Sequence, residues 1–133
     1  MKIGITFGAF DLFHSGHVLM LGEAKEHCDF LVVGIQVDPS IERHEKNRPV
    51  QTILEREIQV AACKYVDQVI MYETERDIEN LLRFFPWHIR FLGSEYVDKP
   101  ITAEWTREWC YYTRRGHDYS TSELRKRIVN DHH

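Results

Sequence analysis

The sequence predicts an α/β domain built on a mostly parallel sheet. Two observations lead there. Short apolar, β-branched runs alternate along the chain with longer segments of helical period. Two of those runs, KIGITF and FLVVGIQV, are nearly continuous in apolar character rather than alternating, which suits parallel strands covered on both faces.

KIGITF (2–7) is the first strand, and residues 17–28 place Val18, Leu21, Ala24 and Cys28 on roughly one helical face. FLVVGIQV (30–37) closes a βαβ unit. The polar segment DPSIERHEKNRP (38–49) reads as a loop or a covering flap. From Thr52 the pattern turns helical, with Leu54, Ile58, Ala61, Ala62 and Tyr65 as its apolar face. QVIMY (68–72) is a third strand. Ile78, Leu81, Leu82 and Phe85 mark a helix that Pro86 stops. IRFLG (89–93) and CYYT (110–113) are the fourth and fifth strands. The last helix starts near Ser120, where STSE has the spacing of a capping box. The whole is a Rossmann-like five-stranded sheet with helices on both faces, one domain over residues 1–131; His132 and His133 are set aside.

Composition narrows the function. A chain of 133 residues with a formal charge of −4 lacks the basic excess of a nucleic-acid binder. No run approaches the roughly 18 apolar residues of a membrane span, and KIGITF stands where a secretory leader would need a charged start. Cys28, Cys63 and Cys110 are scattered and odd in number, which suits a reducing cytoplasm.

In a parallel sheet, ligands sit at the carboxyl ends of the strands, where helix N-termini present free N–H groups. Three polar segments fall there: GAFDLFHSGH (8–17), Gly93-Ser94-Glu95-Tyr96, and RGHDYSTS (115–122). A charged histidine opposes the positive end of a helix dipole, so His14 and His17 at a helix start point to an anion, in the manner of a phosphate site. Neither GxGxxG nor GxxxxGK[ST] is present. A structural zinc site needs four ligands, and no further Cys/His cluster completes one, so no protein metal site is assigned.

GAFDLFHSGH resembles the G-T-F-D-x-x-H-x-G-H signature of the small nucleotidyltransferases, and RGHDYSTS resembles their second signature. The likeness is strongest to the CTP:glycerol-3-phosphate cytidylyltransferases and covers nearly the whole chain, CDFLVVGIQVD and KYVDQVI included. It implies transfer of a cytidylyl group from CTP to a phosphorylated acceptor, glycerol 3-phosphate first, with release of pyrophosphate and with Mg²⁺ across the phosphates. It implies a homodimer, served by the aromatics around residues 84–87. An ATP-dependent adenylyltransferase and a silent nucleotide-binding module are the rival readings.

The resemblance also distributes roles. His14, His17, Lys46 and Arg115 become catalytic; Gly8, Ala9, Phe10, Gly16, Glu95, Ser120 and Thr121 bind nucleotide; Asp11, Arg56, Lys64 and Asp67 bind substrate. Each has a plainer alternative. Asp11 caps a turn, Lys46 belongs to a solvated charge run, Arg56 pairs with Glu55 on a helix surface, Asp67 ends a helix, and the three tryptophans fill a core or interface. Ala9 departs from the family's threonine and removes a hydroxyl from the triphosphate site. Arg107, Arg114 and Arg115 favour an anionic acceptor.

Overall fold

The computed structural model describes residues 1–114 and 116–131. Its strands are β1 (Ile3–Gly8), β2 (Phe30–Gln36), β3 (Gln68–Tyr72), β4 (Ile89–Gly93) and β5 (Cys110–Thr113). They form one sheet in the order β3-β2-β1-β4-β5, and all four pairings are parallel. The helices are α1 (Ser15–Lys25), α2 (Pro39–Glu42), α3 (Ile53–Ala61), α4 (Glu75–Phe84) and α5 (Thr121–Asn130).

The apolar runs become buried strands because both faces of the sheet are covered. On one face Leu31, Val33 and Ile35 of β2 meet Leu21 and Ala24 of α1 and Val60 of α3. On the other, Ile5 and Val32 meet Ile78 and Leu82 of α4 and Ala103. Each of the buried valine, leucine and isoleucine side chains among them contributes about 1.5–3 kcal/mol. Strand order then positions the site. The chain winds outward from β1 to β3 and returns to β4 on the other flank of β1, so a crevice opens at the carboxyl ends where the winding reverses.

Some local expectations shift. α1 begins two residues early, at Ser15, because His14 caps it. The 38–49 segment contains a short helix, capped by the Asp38 side chain on the Ser40 N–H, followed by an exposed stretch. In α3 the expected apolar face is wrong: Leu54 and Ile58 are each 60% exposed, and Arg56 and Val60 point inward. The reason lies in the contacts of Arg56, described below. Between β4 and β5 the chain forms two 3-10 segments, Ser94–Tyr96 and Glu104–Trp109. Arg107 ties them, donating to the carbonyls of Tyr96, Val97 and Lys99, to the Glu104 carboxylate and to the Tyr112 hydroxyl. Trp87, Trp105 and Trp109 group together beside them, the last two partly exposed. Among the described residues no helix is long and apolar enough to cross a membrane.

Candidate active site

The crevice is a cleft of about 450 Å³. Between β1 and α1 the chain makes a tight reversal in which Phe10 (φ 51°) and Leu12 (φ 50°) take the left-handed conformation. Side chains other than glycine rarely adopt it, and such strain concentrates at functional sites. Burial holds Phe10 there: its ring is 4% exposed and packs 5.3 Å, centre to centre, from that of His17. The reversal delivers His14 to the start of α1.

The two histidines build their own helix cap. His14 Nδ1 accepts the Gly16 N–H at 2.9 Å, and His17 Nδ1 accepts the His14 N–H at 3.2 Å. Their rings stack at 3.8 Å. With each Nδ1 an acceptor, the proton of a neutral ring sits on Nε2, and both residues line the cleft. His17 is held neutral: burial first, and then the neighbouring His14, lower its pKa to about 3 against the opposing pull of Asp11. The expected charged wall is therefore corrected for His17, which meets an anion as a neutral hydrogen-bond donor. Gly16 is required by packing, since a Cβ there would lie 2.8 Å from His14 Cε1 and 3.0 Å from His117 Cε1.

The second signature reaches the same cleft. Ser120 caps α5, its hydroxyl accepting the Glu123 N–H at 3.0 Å, and the Thr121 hydroxyl donates to the Asp11 carbonyl at 3.0 Å. Both residues line the cleft with His14, Gly16, His17 and Glu95. The Glu95 carboxylate folds back over Gly93, where a Cβ would come within 2.4 Å of it. Arg115 lies outside the described residues.

Other assignments fall elsewhere. Asp11 is 6% exposed, and its carboxylate accepts the Val50 and Gln51 N–H groups and pairs with Arg125 at 2.8 Å. It clasps the β1–α1 reversal, the end of the flap and α5 together. Arg56 is 1% exposed and donates to four backbone carbonyls, those of Ala9, Gln36, Val37 and Gln51. It neither pairs with Glu55 nor lines the cleft. Ala9 is positioned through that bond, and Gly8 lies under the Phe10 ring, where a Cβ would sit 3.1 Å from Cε2. Asp67 stands at the opposite, amino end of the sheet, paired with Lys25 and accepting the Leu31 N–H. Lys64 lies over the Tyr65 ring, beside a separate groove. Neither lines the cleft, because strand direction puts the β3 entrance away from the crevice. Lys46 is exposed on the flap and outside the cleft lining.

Residues not singled out take some of these places. Arg43, Glu75, Arg90 and Thr102 line one end of the cleft. A signal existed for Arg90, a charge inside the otherwise apolar strand IRFLG; Arg43 was hidden in a charge run. Arg107 is absorbed in holding residues 96–112 and does not serve the cleft. Among the described residues no group of three or more His, Cys, Asp or Glu side chains is arranged to hold a metal ion.

A family model described as cytidylyltransferase-like matches residues 5–127. The chain belongs to the cytidylyltransferase-like family. As a member of these nucleotidyltransferases it is 38% identical over 104 residues to the bifunctional protein HldE of Caulobacter sp. (strain K31), covering 77% of this chain and 21% of that one. It is 33% identical to the bifunctional protein HldE of Helicobacter pylori (strain HPAG1), over 98% of this chain and 28% of the relative. It is 47% identical over 74 residues to the ethanolamine-phosphate cytidylyltransferase of Arabidopsis thaliana, 53% of this chain and 18% of that one. The domain thus spans under a third of the length of these relatives. The crystal structure of the lipopolysaccharide core biosynthesis protein from Thermoplasma volcanium superposes with a TM-score of 0.66 at 26% identity, covering 90% of this chain and 99% of the other. The pantothenate synthetase of Thermus thermophilus, at 14% identity and a TM-score of 0.59 over 96% of this chain and 64% of that one, shares the fold.

Proposed function

We propose that this cytidylyltransferase-like domain transfers a cytidylyl group from CTP to a small phosphorylated acceptor, glycerol 3-phosphate first, and releases pyrophosphate. The observation that carries the reading is the stacked pair His14 and His17 sharing one cleft with the Ser120–Thr121 start of α5. The name of the Arabidopsis relative, which pairs cytidylyl transfer with a phosphorylated acceptor, supports the donor and the acceptor class.

An acceptor phosphate oxygen attacks the α-phosphorus of CTP as the bond to pyrophosphate breaks. The nucleophile is already anionic, so no covalent intermediate or strong base is needed. The domain supplies alignment and hydrogen-bond donors to the five-coordinate phosphorus. Nε2–H of His14 and His17 would donate to the phosphate oxygens, and the first N–H groups of α5 to the leaving group. Arg115 is assigned to the β- and γ-phosphates and Glu95 to the cytosine amino group. Mg²⁺ brought in with the triphosphate would neutralise its charge.

The test is pyrophosphate release with Mg²⁺, crossing CTP, ATP, GTP and UTP against phosphorylated acceptors. Release with CTP that depends on glycerol 3-phosphate supports the reading. Release with ATP instead moves the domain to adenylyl transfer, and CTP binding without release under any acceptor leaves a silent module. Lys46 is assigned to flap closure over the triphosphate; Lys46→Ala should then raise KM for CTP about tenfold, the loss of one charge-assisted hydrogen bond. An unchanged KM returns Lys46 to a solvated face.

A homodimer and a cytoplasmic location belong to the same reading. Phe84 is 82% exposed at the end of α4, and all three cysteines are unpaired. Phe84→Glu should convert dimer to monomer in light scattering; a wild-type monomer, or a variant that stays dimeric, removes this surface from the interface.

A further inference from the structure

The cleft has a second, unassigned end. Arg90 occupies a β4 position in register with Ile5, on the sheet face that α4 covers, and is 3% exposed. Its Nη1 donates to the Thr102 carbonyl at 2.6 Å and to the Thr106 hydroxyl at 3.1 Å. The guanidinium lies over the Phe7 ring, 5.6 Å from its centre. Its buried Nε has no hydrogen-bond partner, and no carboxylate ion-pairs with Arg90, among the described residues. Burying a guanidinium without a direct ion pair and with one donor unpartnered is costly.

A chain of contacts leads from Arg90 to the flap. The Thr102 hydroxyl donates to Glu75 Oε2, and Glu75 Oε1 pairs with Arg43 Nη2 at 3.3 Å. Arg43 is half-exposed at the C-terminal end of α2, and all four residues line the cleft. The α1 and α5 end holds the two histidines and helix N-termini. At the other, the guanidiniums of Arg43 and Arg90 stand with the Glu75 carboxylate.

We propose that Arg90 and Arg43 form an anion subsite, distinct from the triphosphate end of the cleft, that holds a phosphate oxyanion of the acceptor. The inference rests on the reading that the cleft joins a nucleoside triphosphate to a phosphorylated acceptor. Arg90 is the fixed, buried donor and Arg43 the mobile one, released from Glu75 when the oxyanion arrives. A guanidinium fork offers two parallel donors to such an oxyanion, which an ammonium does not.

The experiment is calorimetric titration of inorganic phosphate into the protein saturated with CTP and Mg²⁺, so that the triphosphate end is filled. Wild type should bind phosphate. Arg90→Met and Arg43→Met should each weaken it about 10- to 100-fold, with CTP affinity unchanged. Repeating the titration with glycerol 3-phosphate separates the phosphate group alone from an acceptor that carries it. No phosphate binding by wild type, or equal binding by both variants, overturns the proposal. If Arg90→Met fails to fold, Arg43→Met on the exposed flap decides alone. CTP that does not bind, with phosphate still dependent on both arginines, sinks the donor assignment and leaves the subsite standing.

Discussion

Replacing Arg56 by methionine is expected to lower the stability of this cytidylyltransferase-like domain by about 3–5 kcal/mol, a loss among the largest a single substitution produces. The guanidinium joins the exits of β1 and β2 to the start of α3 through the carbonyls of Ala9, Gln36, Val37 and Gln51. Methionine fills a similar volume but leaves those acceptors enclosed and unpaired. Arg56→Lys should recover little, because one ammonium cannot reach carbonyls that a planar fork spans. Urea unfolding is the measurement. A loss below about 1 kcal/mol would return Arg56 to the role of a helix-surface ion-pair partner. Nucleotide affinity should fall with stability in this variant, since the Ala9 carbonyl anchors the reversal that aims His14 and His17.

Replacing His17 by asparagine is expected to lower turnover about 10²- to 10³-fold, the usual cost of removing one preorganised donor to a developing charge. Asparagine retains a side-chain acceptor for the His14 N–H, so the cap of α1 survives and the loss is read in kcat rather than in folding. The pH dependence carries a second signature. Folding lowers the His17 pKa from 6.5 to about 3, so between those values the unfolded chain binds more protons than the native one. Native stability is therefore complete above pH 6.5 and declines as pH falls towards 3. His17→Asn should flatten that decline in urea unfolding at successive pH values, and an unaltered slope would mean that His17 is already charged in the native state.

Much of the frame was legible because it depends on near neighbours in sequence. Continuous apolar runs announced strands buried on both faces, and the runs at 68–72, 89–93 and 110–113 match β3, β4 and β5 residue for residue. Ser120 announced the start of α5 because a cap is a contact over three residues. The apolar stripe of α3 misled for a stated cause. Periodicity ranks arginine as a surface residue, and it cannot register that carbonyls 20 and 47 positions away in sequence satisfy its donors. Asp11 and Asp67 show the same limit. A carboxylate looks free in a sequence until its partners, Val50, Gln51 and Arg125 for one, Lys25 and Leu31 for the other, fold against it.

Sequence alone determined the alternating α/β plan, the two segments that meet at the carboxyl edge of the sheet, and the residue types of a phosphate-handling site. Those follow from side-chain volume, polarity and spacing, which are local properties. The tertiary structure decided which charges act on a ligand and which hold the fold. It sent Arg56 and Asp11 into backbone contacts, turned Asp67 to the far edge, made His17 a neutral donor, and brought Arg43 and Arg90 into the cleft. The physical reason is that burial and hydrogen-bond satisfaction are settled between residues distant in the chain, and the same guanidinium is a strut or a ligand depending on what closes around it.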